Sequence, residues 1–327
     1  MMFKNLIFLG ILNATLTLAG ILQEVHAQSY PNRAVTIIVP QPPGGGVDFT
    51  GRLIAAGLQN ALQRPFVVEN RAGSSGNIGT LHAARAAPDG YTLLLGNSGN
   101  QVTNPALFPA LQWDPVRDFS GVAMLLRAPH VVVVNKNFPA NTLTELLAYA
   151  RANPGKLNYA TPGNGTQNHI ASALLAQLAN VKMTHIPYKG GAPALSDLLG
   201  GTVDMFINTT QSLMKPIQSD SVKGLAIASA TRHPLLPRLP TTAEAGVSGF
   251  EIATWYALYA PKGAPPDVLG LLSREIKKIG ETDDFKARVD QSGATILYMG
   301  PEELDKYTEA QTTYWTAVIR KMGITAE

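Results

Sequence analysis

The chain has 327 residues, which at roughly 150 residues per domain points to about two domains and a sizeable buried core. Apolar residues make up 45% and charged residues only 15%, which excludes disorder as the main state. Lys and Arg number 26 against 23 Asp and Glu, a net charge of +3, and no basic stripe interleaved with aromatics supports nucleic-acid binding. The absence of cysteine removes disulfides, thiolate metal sites, Fe–S clusters and cysteine nucleophiles together.

The first residues look like a leader. Met1 to Lys4 carries one positive charge, and Leu6 to Leu22 is mostly apolar but interrupted by Asn13, Thr15 and Thr17. Val25-His26-Ala27 then places small residues where a signal peptidase cuts. A secretory signal peptide over 1–27, cleaved after Ala27, is expected. The alternative, an uncleaved anchor, calls for an unbroken apolar run of about 20 residues. The expected mature chain, 28–327, is exported and free of a lipid tether.

From Arg33 short β-branched runs alternate with helical stretches, the pattern of βαβ units around a largely parallel sheet. Strands are expected at 35–39, 66–68 and 91–95, with helices over 48–63 and from the Gly73-Ser74-Ser75-Gly76 turn to Pro88. A second unit begins near Pro129, with a buried strand at 131–134 and a helix opened by the capping box Thr142-Leu143-Thr144-Glu145. Strands at 157–160, 184–186, 203–208 and 224–229 follow, with helices at 170–179 and 193–199 between them. The proline-bearing stretch 233–241 reads as a surface connection. The last elements are strands at 255–260 and 294–299 and helices at 266–280 and 302–321. Neither an internal repeat nor a low-complexity linker is present.

Two loops are candidates for holding a ligand. Pro40-Gln41-Pro42-Pro43-Gly44-Gly45-Gly46-Val47-Asp48 joins the first strand to its helix, where bare glycines and free helical N–H groups favour an anion such as a carboxylate. A plain tight turn is the alternative. Asp48 either satisfies its own helix start or faces the cleft. Thr161-Pro162-Gly163-Asn164-Gly165-Thr166-Gln167-Asn168-His169 repeats the arrangement in the second unit, with His169 readable as a ligand contact or as a packed residue.

Sharper motifs fail. Gly163-x-Gly165-x-x-Asn168 lacks the third glycine of a dinucleotide fingerprint, and Gly96-Asn97-Ser98-Gly99-Asn100 ends in Asn where a nucleophile elbow has Gly. Ser212-Leu213-Met214-Lys215 has the Ser-x-x-Lys spacing without its companion motifs. His82, His130, His169, His185 and His233 include no pair at metal-ligand spacing on one helix, so neither metal nor cofactor is expected.

Taken together, these motifs resemble the Bug family, the TctC-like extracytoplasmic solute receptors of tripartite tricarboxylate transporters. The residues that carry the resemblance include Tyr30-Pro31, Pro43-Gly44-Gly45-Gly46-Val47-Asp48, Val68-Glu69-Asn70-Arg71-Ala72-Gly73 and Gly76-Asn77-Ile78-Gly79. Pro88-Asp89-Gly90-Tyr91, Asn153-Pro154-Gly155-Lys156-Leu157, Gly163-x-Gly165-Thr166, Pro187-Tyr188-Lys189-Gly190 and Ala260-Pro261-Lys262-Gly263-Ala264-Pro265 continue it over essentially the whole mature chain.

The resemblance implies an α/β, two-lobed periplasmic binding protein of "Venus flytrap", type II-like architecture, each lobe a mostly parallel sheet flanked by helices. Lobe 1 is expected over 28–127 plus 252–327 and lobe 2 over 128–251, with crossings near Arg127 to Pro129 and Glu251 to Thr254. A small carboxylate is expected in the cleft, held by Pro43, Gly44, Gly45, Gly46 and Asp48 and by Gly163, Asn164, Gly165 and Thr166. Asn97, Ser98, His169 and Asn208 are further carry-overs. The implied partners are the integral-membrane transporter subunits, with a monomeric receptor and no catalysis. The alternatives are a ligand sensor for a signalling partner and a secreted serine hydrolase using Ser98. Gln41-Pro42-Pro43 departs from the aromatic and small residues usual before the first glycines.

Overall fold

The structure is a computed structural model that describes residues 30–324, so the expected leader and its cleavage site lie outside the described residues. The first βαβ unit is built of β1 (Val35–Val39), α1 (Gly46–Leu62), β2 (Phe66–Asn70), α2 (Asn77–Ala84) and β3 (Thr92–Asn97). β1 lies between β2 and β3 and is parallel to both. Ile37, Ile38, Leu94 and Leu95 are at most 1% exposed, because the sheet is covered on both faces and its strands read as continuous apolar runs. α1 lies on one face, with Gly51 so close that a Cβ there would stand 2.8 Å from Val39 Cγ2. The opposite face packs Ala83 of α2 with Ile38 and Leu94.

β4 (Phe119–Asn135) then runs for 17 residues. After it come α3 (Leu143–Ala152), β5 (Asn158–Thr161), α4 (Gln167–Leu178), β6 (Thr184–Pro187), α5 (Gly191–Gly200), β7 (Met205–Thr209), α6 (Thr210–Gln218) and β8 (Val222–Ile227). β5 lies between β6 and β7 and is again parallel to both. The chain returns through β9 (Ala253–Pro261), α7 (Pro266–Glu281), α8 (Asp283–Ser292), β10 (Thr295–Met299) and α9 (Pro301–Met322).

The strands join in the order β2-β1-β3-β9-β4-β7-β5-β6, with β8 and β10 also paired to β4. Parallel pairing is confined to the two triplets; β9, β4, β8 and β10 add antiparallel partners, so the sheet is mixed. β4 is common to both halves of the sheet. Its residues Phe119 to Pro129 pair with β9, and from His130 onward it pairs with β7 and β8. Pro129 stands at that change of partner, the kind of position in a sheet where a missing N–H is tolerated. Beyond it the side chains alternate. Val131 and Val133 pack with Leu198 of α5 and Leu213 of α6, and Val132 and Val134 pack with Leu146 of α3 and Ile170 of α4.

Three elements differ from the sequence expectation. The first half of β4 was not separated from its surroundings, since an unbroken apolar run has no period to assign. α6 is hidden in the sequence by Pro216, which lies inside it two residues from its end and removes one backbone hydrogen bond there. α8 buries only Phe285 and Val289, too few for a visible stripe, and is capped by Thr282, which accepts from the Phe285 N–H at 3.4 Å. At α3 the cap forms, Thr142 Oγ1 accepting from the Glu145 N–H at 3.1 Å, while Glu145 Oε2 reaches back one residue further than in a capping box, to the Asn141 N–H at 2.6 Å.

Leu94 is fully buried between covered faces, so Leu94→Ala is expected to destabilise the chain by about 2–5 kcal/mol in urea unfolding. A loss under about 1 kcal/mol would mean that the site collapses around the missing atoms and that β3 is not packed as described.

Candidate functional site

The loop after β1 is shaped by main chain. Gly44 has φ +89°, a left-handed conformation that glycine adopts without strain, and a side chain on Gly44 or Gly45 would meet nothing within 4 Å. Gly45 is the N-cap of α1, and no side chain caps that helix start. The first N–H groups of α1 are therefore presented beside open space, at the positive end of the helix dipole. Pro43, Gly44 and Gly45 are exposed and Gly46 is half-buried.

Asp48 does not offer its carboxylate to that space. Oδ2 accepts from the Gly44 N–H at 3.0 Å and from Arg52 Nε at 3.1 Å, while Oδ1 accepts from Asn70 Nδ2 at 2.9 Å and lies 2.9 Å from Arg52 Nη2. Burial works to raise its pKa, but the bonds from Arg52, Gly44 and Asn70 outweigh it and hold the carboxyl below its usual range. Asp48 thus ties the glycine loop to α1 and β2. Its negative charge is met within the protein.

The loop after β5 is built in the same way. Gly163 and Gly165 have φ of +148° and +68°, and Thr166 caps α4, its Oγ1 accepting from the His169 N–H at 3.4 Å. The same hydroxyl donates to the Gly163 carbonyl at 2.8 Å. The Gly165 N–H donates to His169 Nδ1 at 3.3 Å, which puts the ring proton on Nε2. The His169 ring stacks on His185 with centroids 4.1 Å apart, and Tyr159 extends the stack. Burial lowers the pKa of both histidines, His185 to about 4 with help from His169, so the pair supports the loop as neutral rings.

Contacts cross from one half of the sheet to the other around these loops. Ser75 Oγ donates to the Asn164 carbonyl at 2.8 Å, and Ser98 Oγ donates to Gln167 Oε1 at 2.5 Å. Gln167 Oε1 also accepts from Thr254 Oγ1 at 2.8 Å, and that hydroxyl lies 2.9 Å from His130 Nε2. Since Thr254 donates to Gln167, His130 donates to Thr254 and carries its proton on Nε2. Full burial lowers the His130 pKa to about 3, which keeps the ring neutral. Ser98 therefore meets an amide, which cannot act as a general base, where a hydrolase would place an imidazole.

Asn97 and Asn208 also turn to the protein. Asn97 Oδ1 accepts from the Asn100 N–H at 3.1 Å while the Asn97 N–H donates to Asn100 Oδ1 at 2.8 Å, closing the π turn at Gly99–Thr103. Asn208 Oδ1 accepts from Asn168 Nδ2 and from the Thr209 N–H, at 2.9 and 2.8 Å. Among the described residues no group of three His, Asp or Glu side chains is placed to hold a metal ion.

Sequence reasoning missed Gln167, Gln211, Thr254 and Tyr256. Gln211, the second residue of α6, reaches Gly46 from the other half of the sheet: a Cβ on Gly46 would lie 2.7 Å from Gln211 Oε1 and 2.6 Å from Tyr256 Oη. The signal was its place just past the carboxyl end of a strand, where ligands of α/β sheets bind.

A carboxyl whose pKa is lowered by folding stabilises the folded chain above its unfolded value, near 3.8 for Asp48. The contribution is lost as pH falls through the lower folded value. Asp48→Asn should therefore lower the urea midpoint at pH 6, with the gap from wild type closing as pH drops below about 3.8. A gap unchanged down to pH 2.5 would show that the Arg52 pairing contributes nothing.

The comparisons with known proteins agree with this architecture. Residues 50–324 match the model of the tripartite tricarboxylate transporter family receptor. The protein BugT of Bordetella pertussis is 36% identical over 323 residues, 98% of each chain. Among solved structures, the R. palustris protein Rpa4515 with adipate superposes with a TM-score of 0.87 at 34% identity, covering 90% of this chain and 99% of the other. The periplasmic binding protein BugD superposes with a TM-score of 0.85 at 35% identity, covering 90% and 99%. With the periplasmic binding protein fold and a family match over most of its length, the chain belongs to the tripartite tricarboxylate transporter receptor family, the Bug proteins.

Proposed function

We propose that the chain captures a small carboxylate in the periplasm and delivers it to the membrane subunits of a tripartite tricarboxylate transporter, without turnover. The observation that carries this reading is the pair of glycine-rich loops, one opening α1 and one opening α4, on the two sides of the gap between the halves of the sheet. Each offers main-chain N–H groups at a helix start, a natural seat for an anion. The similar protein Rpa4515 was solved with adipate, a dicarboxylate, which supports the class.

On this reading 28–127 with 252–327 and 128–251 are two lobes that close on the ligand about β4 near Pro129 and about the start of β9. Gly44 to Gly46 and Gly163 to Thr166 hold the carboxylate through main-chain donors. Asp48 and His169 keep those loops in shape, Asn97 braces the turn after β3, and Asn208 ties the end of β7 to Asn168 in the first turn of α4. Ser98 and Gln167 join the lobes when they are closed. Export depends on the 1–27 leader, removed after Ala27.

The test is a thermal-shift panel of di- and tricarboxylates, acidic amino acids and aromatic carboxylates on residues 28–327, stripped by unfolding and refolding. A ligand at about 100 times its Kd adds roughly 2.7 kcal/mol, several degrees in a chain of this size. Gly45→Val should fold normally, since Gly45 has φ −90° and open space around its Cβ position. It should nevertheless lose at least about tenfold in affinity by blocking the approach to the first N–H groups of α1. A valine variant that binds as wild type would remove this loop from the site. A folded wild type indifferent to every carboxylate would remove the proposed function.

A further inference from the structure

Two buried glutamine amides have no hydrogen-bond partner at either polar atom among the described residues, Gln101 and Gln211. Gln101 lies under the sheet, against Gly96 and Tyr259. Gln211 lies between the halves, its Oε1 against Gly46 at the first turn of α1 and beside Tyr256 Oη. Any side chain on Gly46 would fill the place where amide and phenol come together. A buried amide left unbonded is destabilising, and at Gln211, unlike Gln101, the amide stands against the first glycine loop, where a partner can come from outside the chain.

The chemistry of that partner follows from the groups present. An amide offers donors on nitrogen and an acceptor on oxygen, and a hydroxyl both donates and accepts, so it answers both. An ionised carboxylate only accepts and would leave Oε1 facing a second negative oxygen. On the proposed function the carboxylate is taken by the free N–H groups at the start of α1, the positive end of that helix, and the amide against Gly46 meets the group next to it. Arg52, on the same helix as Gly46, is turned to Asp48 and to Asn70. Tyr256 is fully buried and bonds the Thr209 side chain, and burial raises its pKa, so the phenol keeps its proton as a further donor.

We infer that Gln211, backed by Tyr256, reads a hydroxyl on the ligand, which makes the chain a receptor selective for hydroxycarboxylates over the matching unsubstituted acids. This rests on the proposed carboxylate-binding function and adds the group read beside the carboxylate, where Gln211 meets Gly46. The glycine loops take the carboxylate, and the Gln211 amide takes the hydroxyl. A site that bonds a hydroxyl rejects the analogue lacking it, because its own polar groups are then buried without partners.

Calorimetric titration of the mature chain with three matched pairs tests it: butyrate and 3-hydroxybutyrate, succinate and malate, benzoate and 4-hydroxybenzoate. For at least one pair the wild type is expected to bind the hydroxylated member at least about tenfold more tightly. In Gln211→Leu, with Gln211→Met as a second variant of similar volume, that ratio should fall toward one. Equal binding of both members by wild type, or a ratio that survives in the folded variants, overturns the role of Gln211 and leaves the receptor function standing. Binding of none of the six by a wild type that responds to another carboxylate in the wider panel overturns the hydroxyl selectivity alone. No response to any carboxylate overturns the receptor function as well.

Discussion

A single strand holds the two halves of this molecule in one hydrogen-bonded sheet. β4 pairs with β9 up to Pro129 and with β7 and β8 from His130 onward. A slip of one residue in the second part would turn Val131 and Val133 toward the helices that now receive Val132 and Val134, exchanging two separate cores at once. Register is therefore set from both faces. It brings the chain after β1, β2, β3, β5 and β7 to one gap, where Gly46 meets Gln211, Ser98 meets Gln167 and Ser75 meets Asn164.

Around that gap the protein has used up its own charges. The Asp48 carboxylate is taken by Arg52, Asn70 and the Gly44 N–H, and buried His130 and half-buried His169 and His185 are kept neutral by desolvation. What is left to meet a ligand is main-chain N–H, amide and hydroxyl. Once closure on the proposed function shields the space from water, such dipoles would act more strongly than in bulk solvent, and they need not be stripped of a tightly held hydration shell first.

Much of this was legible in the residues. Glycines after a strand and before a helix marked both loops, and β-branched runs separated by Pro-Asp-Gly or Asn-Pro-Gly marked the parallel strands. The start of α3 followed from capping chemistry at Thr142, whereas α4 begins at Gln167, three residues before the expected start, because Thr166 caps it. The rest was hidden for physical reasons. Asp48, Asn97 and Asn208 are polar residues at the right loops, but whether such a side chain points outward or braces its own backbone depends on partners far away in sequence, such as Asn70 and Asn168. Gln167 stands inside the second glycine loop, but its partner Ser98 is far away in sequence; Gln211 and Tyr256 belong to no motif, and only the folded register brings them to the first glycine loop.

The division of donors between α1 and α4 has a mechanical consequence under the proposed function. A receptor that gripped its cargo with one arginine on one lobe would keep hold of it after the lobes parted. Here each lobe supplies only a share of weak, directional dipoles, and neither share is a complete seat. Parting the lobes by a few ångströms would break the grip by geometry alone, with no ion pair to be separated and no competing charge required from the membrane partner. Retention and release would then be two shapes of one molecule, and whatever holds the lobes apart at the membrane would also empty the site.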